Sequence, residues 1–287
     1  MKVIILCGGM GTRLREETEY KPKPMVEIGG KPILWHIMKH YAHYGFREFI
    51  LALGYKGNVI REYFLNYFNY NSDITVDLAN EGKITRHNQG ISDDWKVTLM
   101  ETGADSMTGY RVRLAGRFTD GDNFMVTYGD AVSNVNLAEL YKFHLEHGLI
   151  GTVTGVFPPS RFGDLVTERD RVKMFNEKLK KEEGQEPING GYFVFKKEFL
   201  DIIPDDPLTD LERIPMKLLT SRGQLAVYRH KGFWQCMDTY RDNQMLEKMW
   251  KENPVWRIWS LTHIFTEEGG SLLLGTLDSR GRGLPSG

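Results

Sequence analysis

The sequence predicts an α/β protein with a mainly parallel central sheet flanked by helices. Two observations carry this prediction: short runs of apolar, often β-branched residues recur along the chain, and helical segments separate them. Strands buried on both faces of a parallel sheet show such continuous apolar runs, whereas antiparallel strands usually alternate. Alternating strands and helices therefore indicate parallel βαβ units.

The first βαβ units are predicted near the N-terminus. A buried strand over residues 3–7 ends at glycines, and a helix over residues 32–44 begins at a proline and stops at Gly45. A second buried strand follows over residues 49–53, and then an aromatic-rich helix over residues 59–68.

The following segments continue this pattern with one change of character. Residues 70–116 alternate in polarity, which predicts a small β-rich insertion with a polar loop near residues 88–94. Strands are predicted at residues 74–78, 96–100, 124–128, 151–157, 172–175, 191–195 and 225–228. Helices are predicted at residues 137–147, 212–221 and 241–252. We interpret residues 1–260 as one domain and residues 261–287, where glycines interrupt any periodicity, as a flexible tail.

Composition and charge exclude several classes of protein. The chain has 287 residues, 41% of them hydrophobic, and a net charge of −1, which favours neither nucleic acid nor an anionic membrane as a partner. No stretch approaches the roughly 18 apolar residues that a membrane helix needs. The two cysteines, Cys7 and Cys236, form no metal motif, so we expect a reduced, cytoplasmic protein.

A glycine-rich loop directly follows the first predicted strand. Residues 6–14 read Leu-Cys-Gly-Gly-Met-Gly-Thr-Arg-Leu. Glycines let backbone amides approach an anion, and open α/β sheets bind ligands at the carboxyl ends of their strands. The loop lacks the third glycine of a dinucleotide fingerprint and the Gly-Lys-Ser/Thr of a P-loop. The glycines alone are equally compatible with a plain tight turn.

Two cations favour anion binding over a plain turn. Arg13 lies in the loop, and Lys23 lies between two prolines in the run Lys-Pro-Lys-Pro-Met. We expect the prolines to hold the backbone around Lys23 extended and stiff, which lowers the entropy lost when its side chain is held against a phosphate. Alone, the run would fit a solvated linker; with the loop and Arg13 it predicts a phosphate site.

Two aspartates are candidate metal ligands. Asp130 follows a buried strand, at the end that faces the ligand side of the sheet, and Asp238 ends the run Phe-Trp-Gln-Cys-Met-Asp. Mg²⁺ binds one or two carboxylates together with substrate phosphate oxygens. Each aspartate alone fits a turn or a helix N-cap, the latter especially for Asp238. As a pair beside a phosphate loop they predict a Mg²⁺ site.

The histidines show no catalytic or zinc-binding arrangement. His36, His40 and His43 share helical spacing without a nearby carboxylate or cysteine, and His144 and His147 match no zinc-protease motif. We therefore expect structural histidines and no covalent catalysis.

Several segments together resemble the sugar nucleotidyltransferases, or nucleoside-diphosphate-sugar pyrophosphorylases. The glycine loop and the Lys-Pro-Lys-Pro-Met run look like that family's signature. Similarity to its glucose-1-phosphate cytidylyltransferase branch lies at residues 31–38, 106–109, 127–130, 157–159, 161–163, 188–191 and 232–239. The resemblance covers residues 1–260. It implies a Rossmann-like, mixed, mainly parallel sheet, the nucleotidyltransferase fold, with a nucleotide-binding N-terminal part and a sugar-phosphate-binding C-terminal part.

The resemblance also implies a reaction. It predicts that CTP and α-D-glucose 1-phosphate are converted to CDP-glucose and pyrophosphate, with Mg²⁺ as cofactor. The resemblance further implies that the protein is a homo-oligomer. It also implies a role in nucleotide-sugar biosynthesis, for example for the O-antigen of lipopolysaccharide. UTP or dTTP as the nucleotide, and a non-catalytic subunit that senses sugar nucleotides, remain open alternatives. The presence of Arg13, Lys23 and both aspartates argues against the second.

Positions that match the family's motifs carry over as expected site residues. Those expected to bind the nucleotide are Leu6, Gly8, Gly9, Gly11, Thr12, Arg13, Lys23, Thr108 and Gly109. Those expected to bind the sugar phosphate are Tyr128, Gly163, Glu177, Lys178 and Asn189. Asp130 and Asp238 are expected to hold Mg²⁺, and the expected catalytic residues are Arg13, Lys23 and Asp130. Two positions depart from the family pattern: Leu179 replaces a proline, and Tyr110 replaces a glycine and is expected to narrow the nucleotide pocket.

The expected mechanism is in-line attack of a sugar phosphate oxygen on the α-phosphorus of the triphosphate. A phosphate monoester has a second pKa of about 6 and is mostly dianionic at neutral pH, so the nucleophile needs no strong general base. The main obstacle is the repulsion between two polyanions. Cations such as Arg13, Lys23 and Mg²⁺ would lower it and align the attack.

Overall fold

A seven-stranded sheet forms the centre of the protein. The computed structural model describes residues 1–9, 11, 18–87, 93–158, 164–168, 171–176 and 186–259. The predicted tail over 261–287 lies outside these residues. Among the residues described, no helix is long and apolar enough to cross a membrane.

The described strands and helices are numbered in chain order. The strands are β1 (Lys2–Leu6), β2 (Glu27–Ile28), β3 (Lys31–Pro32), β4 (Glu48–Leu53), β5 (Ile74–Asp77), β6 (Lys83–Arg86), β7 (Lys96–Glu101), β8 (Asn123–Tyr128), β9 (Ala131–Ser133), β10 (Gly151–Val156), β11 (Asp164–Glu168), β12 (Arg171–Asn176), β13 (Ile188–Lys196), β14 (Leu225–His230) and β15 (Trp234–Cys236). The helices are α1 (Ile33–His43), α2 (Gly57–Leu65), α3 (Tyr67–Tyr70), α4 (Thr108–Gly116), α5 (Leu137–His147), α6 (Phe199–Ile202), α7 (Pro215–Ser221) and α8 (Tyr240–Glu252).

The central sheet has the strand order β14-β10-β13-β8-β1-β4-β7. Neighbouring strands run parallel except around β13, which is antiparallel to both β10 and β8. The predicted mixed, mainly parallel sheet is confirmed. Four further strand pairs lie outside it: β2 with β3, β5 with β6, β9 with β15, and β11 with β12.

The central strand β1 is buried on both faces, as its apolar run predicted. Val3 and Ile5 belong to the core under α1, α2, α5 and α8, whereas Ile4 and Leu6 belong to the core under α4, α6 and α7. This division follows from the two-residue period of a strand, which sends successive side chains to opposite faces. Helices therefore cover both faces of the sheet.

The segment from 57 to 116 differs most from its prediction. The helix predicted at 59–68 is two helices, α2 and α3, separated at Asn66. The insertion consists of the exposed hairpin β5–β6, whereas β7 pairs in parallel with β4 at the edge of the main sheet. Helix α4 was not predicted, because arginines occupy inward positions where an amphipathic helix normally has apolar residues.

Candidate nucleotide and metal site

A cleft of about 460 Å³ opens where strands β1 and β8 end. Its walls come from the glycine loop after β1, from Lys23 and Pro24, from residues 104–108 before and at the start of α4, from Arg111, and from residues 128–130. Strands β1 and β8 are parallel neighbours, so their carboxyl ends meet at this edge of the sheet. The cleft thus lies where α/β sheets bind ligands and where the glycine loop predicted it.

Arg111 of helix α4 forms hydrogen bonds with the glycine loop and with neighbouring segments. Its guanidinium donates to the carbonyl oxygens of Gly8 at 3.3 Å, Leu53 at 2.9 Å and Ala104 at 3.1 Å, and to the Thr102 hydroxyl at 2.5 Å. A Cβ atom on Gly8 would lie 2.1 Å from an Arg111 nitrogen. A larger residue at position 8 would therefore overlap the Arg111 guanidinium in its present position. Gly8 and Arg111 are 103 residues apart in the chain, so a local sequence pattern could not predict their contact.

Lys23 begins a short 3-10 turn, Lys23–Met25. The expected extended backbone is correct for Pro22, with φ −68° and ψ 153°, and wrong for Lys23. Pro24 has no backbone N–H, so its position in the turn leaves no donor without a partner. The turn is stabilised by the Met25 N–H, which donates to Pro22 O at 2.8 Å. The turn aims the Lys23 side chain into the cleft.

The Lys23 ammonium is held by the two predicted metal ligands. Its Nζ donates to Asp130 Oδ2 at 2.7 Å and to Asp238 Oδ1 at 2.6 Å. Burial alone would lower the pKa of Lys23, but the charges and hydrogen bonds of the two carboxylates outweigh burial and raise it. Lys23 therefore remains a cation between two anions.

A short ribbon brings the two aspartates together. Asp130 directly precedes β9, and Asp238 lies two residues after β15; these strands pair antiparallel with Ala131 opposite Cys236. The Met237 N–H also donates to Asp130 O at 2.8 Å. The alternative of Asp238 as a helix N-cap is wrong, because Thr239 caps α8.

The pair of carboxylates fits the chemistry of Mg²⁺. Two carboxylate oxygens converge on the Lys23 ammonium, and the side chains of Asp130 and Asp238 are partly exposed, at 31% and 21%. Within the described ranges, no group of three or more His, Cys, Asp or Glu residues could hold a metal. A site with two carboxylates suits an ion that takes its other ligands from water and phosphate. The Mg²⁺ site stays a prediction.

The expected sugar-binding residues lie partly within the described chain. Strand β13 runs antiparallel to β8, so Asn189 near its start lies close to the end of β8. Asn189 Oδ1 accepts a hydrogen bond from the Gly191 N–H at 2.8 Å, and Gly191, with φ +76°, packs against the Tyr128 ring. Tyr128 also lines the cleft. The expected residues outside the described part of the chain are Thr12, Arg13, Gly163, Glu177 and Lys178.

Thr108 and Gly109, two of the residues expected to bind the nucleotide, begin helix α4. Thr108 lines the cleft, and its hydroxyl accepts from the Leu211 N–H at 3.0 Å and donates to Glu212 at 3.4 Å. Gly109 faces away, since a Cβ there would lie 2.9 Å from the backbone oxygen of Thr209. Tyr110 is not among the described residues that line the cleft.

The histidines of α1 have structural contacts, as predicted. The buried imidazoles of His36 and His40 each bond a backbone carbonyl oxygen at 2.8 Å, of Ile28 and Val135 respectively. Burial lowers the pKa of each to about 4, so both are neutral at neutral pH. Cys7 is fully buried, and burial raises the pKa of its thiol.

Comparison with known proteins places the chain in a family. The model of the nucleotidyl transferase family matches residues 2–239. The glucose-1-phosphate cytidylyltransferase of Salmonella typhi is 47% identical over 261 residues, which are 90% of this chain and 100% of that protein. A Bacillus subtilis protein named "Probable glucose-1-phosphate cytidylyltransferase" is 45% identical over 260 residues, again 90% of this chain and 100% of the relative.

Solved structures agree at the level of the fold. HddC from Yersinia pseudotuberculosis is 22% identical, with a TM-score of 0.61, over 87% of this chain and 99% of that one. The family match covers the glycine loop, the sheet and both aspartates. This chain is a member of the nucleotidyl transferase family.

Proposed function

We propose that the protein transfers the cytidylyl group of CTP to α-D-glucose 1-phosphate, forming CDP-glucose and pyrophosphate. Relatives that match along their whole length at 45% and 47% identity are named for this activity. The observation that carries the proposal is the convergence of Lys23, Asp130 and Asp238 at a cleft below a glycine loop. This arrangement suits a reaction between two phosphate compounds.

The described residues suit a reaction that needs charge and alignment more than proton transfer. The glycine loop offers backbone amides to the nucleotide phosphates, and Arg111 holds the loop in place. The Lys23 side chain can reach a phosphate in the cleft and stabilise its charge. Asp130 and Asp238 would hold Mg²⁺, which supplies further positive charge and alignment when bound. No histidine among those described lines the cleft, which agrees with a nucleophile that is already ionised.

Nucleotide choice is the direct test of this proposal. The protein would be incubated with glucose 1-phosphate, Mg²⁺ and each of CTP, UTP, dTTP and GTP, and pyrophosphate release would be measured. We expect CTP to give the highest kcat/KM. A higher value with UTP or dTTP would overturn the proposed nucleotide, and no release with any triphosphate would favour the non-catalytic sensor.

We also propose that the protein is a cytoplasmic homo-oligomer. The hairpin β5–β6 and the adjoining helices expose large apolar side chains: Leu65, Phe68, Tyr70, Ile74, Val76, Leu78 and Ile84. An isolated two-stranded hairpin is only marginally stable in water, and exposed apolar patches commonly mark interfaces. Light scattering after size exclusion should give a mass of at least two chains. A single-chain mass at micromolar concentration would contradict this.

A further inference from the structure

The Lys23 ammonium lies between the two carboxylates that would hold a metal ion. Its Nζ is 2.7 Å from a carboxylate oxygen of Asp130 and 2.6 Å from one of Asp238. A Mg²⁺ ion bound to both carboxylates would be about 2.1 Å from each ligand oxygen. An ammonium and a divalent cation cannot share one point between the same two carboxylates. Metal binding through the same two oxygens therefore requires Nζ to move away.

The movement is unfavourable unless the ammonium finds another anion. The Lys23 side chain is only 13% exposed, so its Nζ cannot leave the pair for bulk water without a rearrangement. In the cleft itself, the anion that could receive it is a phosphate of a bound nucleotide. Lys23, Asp130 and the glycine loop all line the same cleft, so such a phosphate would be within reach of the side chain.

We propose that Lys23 is a resident counterion of the Asp130–Asp238 pair, which opposes divalent cations until a nucleoside triphosphate draws its ammonium away. Metal and nucleotide then bind cooperatively, because each favours the state in which Lys23 has left the carboxylates. Such coupling is reciprocal: nucleotide tightens metal binding by the same factor by which metal tightens nucleotide binding. The identity of the nucleotide rests on the proposed function, whereas the competition between Lys23 and metal does not.

Removal of the Lys23 ammonium should raise the affinity of the two carboxylates for a divalent cation in the absence of nucleotide. Without Lys23, the two carboxylates would lose the cation that lies between them and would attract a divalent cation more strongly. Lys23→Met keeps an unbranched side chain that is one atom shorter and removes its charge. Lys21→Met is the matched control, because Lys21 lies two residues away and forms an ion pair with Glu27 at 3.7 Å.

Mn²⁺ binding, followed by the loss of the free-ion signal in electron paramagnetic resonance, tests the proposal without turnover. In the absence of nucleotide, Lys23→Met should bind Mn²⁺ about tenfold more tightly than the wild type and Lys21→Met, within the usual range of coupling between sites. Adding Asp130→Asn to Lys23→Met should remove this gain. Equal Mn²⁺ affinity in the wild type and a folded Lys23→Met variant would overturn the proposal.

A second measurement on the wild type alone covers the case in which Lys23→Met does not fold. A non-hydrolysable CTP analogue should tighten Mn²⁺ binding to the protein about tenfold, after correction for Mn²⁺ bound by the analogue in solution. No tightening would overturn the proposal. CDP-glucose formation is assayed separately: activity without the coupling refutes only this inference, and coupling without activity refutes only the proposed reaction.

Discussion

At the scale of single residues, the structure separates two lysines that the sequence presents alike. Lys21 and Lys23 each precede a proline in the same short run. Lys21 lies 3.7 Å from the half-exposed carboxylate of Glu27, whereas Lys23 is nearly buried between two carboxylates. Exposed ion pairs such as that of Lys21 contribute little free energy. Substitutions of Lys21 and Lys23 should therefore differ strongly in their effect on activity.

Lys23→Ala should lower kcat for pyrophosphate release by about 10²-fold or more, the loss typical when one charge contact to a transition state is removed. Lys21→Ala should lower kcat far less, because its side chain is not part of the cleft lining. Steady-state kinetics on both variants check this. Equal losses would show that Lys23 has no special role.

Asp130→Asn and Asp238→Asn should each abolish Mg²⁺-dependent turnover while the protein stays folded. Each change keeps the size of the side chain and removes the charge that would bind the metal. Asp94→Asn is the control, since Asp94 is 71% exposed and pairs with Arg47 on the surface. Turnover would be measured against Mg²⁺ concentration, with circular dichroism to confirm folding. Near-normal turnover in either variant would remove that aspartate from the metal site.

At the scale of elements, the site depends on short segments whose positions are set by their partners. Helix α4 holds the glycine loop through Arg111, and the ribbon β9–β15 brings Asp130 next to Asp238. Neither β9 nor β15 exceeds three residues, so pairing and not intrinsic strand preference determines them. Changes in these elements should affect the site through geometry.

The glycine loop offers a matched pair of substitutions. A Cβ on Gly8 would overlap the Arg111 guanidinium, whereas a Cβ on Gly9 would have no atom of the described residues within 4 Å. Gly8→Ala should therefore displace the loop and raise KM for CTP about tenfold or more, since loops that are misplaced by about 1 Å can cost that much or more. Gly9→Ala should change KM much less. The reverse order would mean that Arg111 does not hold the loop.

The ribbon also predicts which thiol reacts. Cys236 is half-buried, with its Sγ 3.5 Å from Asp238 Oδ2, whereas Cys7 is fully buried. Iodoacetamide should inactivate the enzyme through Cys236, because a bulky adduct there would lie beside the carboxylate pair, and CTP with Mg²⁺ should slow the inactivation. Cys236→Ser should stay active and resist the reagent. Mass spectrometry that found Cys7 modified instead, or no protection by nucleotide, would contradict this geometry.

At the scale of the whole molecule, buried histidines make stability depend on pH. Burial lowers the pKa of His36, His40 and His144 to about 4, against an unfolded value of 6.5. Between these values the unfolded chain binds protons that the folded protein does not. The free energy of unfolding is therefore highest above the unfolded pKa. It decreases as pH falls toward 4, by roughly 1 kcal/mol per pH unit for each histidine.

His40→Gln tests this dependence. Glutamine keeps an N–H donor for Val135 O but does not titrate. In urea unfolding between pH 7 and 4.5, the slope of unfolding free energy against pH should fall by about 1 kcal/mol per pH unit in this variant. An unchanged slope in His40→Gln would show that His40 does not contribute.

The sequence alone determined the elements whose residues carry their own periodicity. Helix α5 was predicted with its observed bounds, and β1, β4 and β8 were predicted within one residue, because continuous apolar runs and helix stop signals are local. The glycine loop and Asp130 could be placed at the ligand edge for the same reason, since strand direction follows from βαβ order.

Only the tertiary structure decided how these parts meet. Helix α4 escaped prediction because the space under the glycine loop is filled by Arg111, a residue that no apolar pattern would place inside. The contact of Lys23 with Asp130 and Asp238 joins positions that are 107 and 215 residues apart. Such contacts depend on how the sheet, the ribbon and the 3-10 turn pack against one another. A local sequence pattern does not specify that packing.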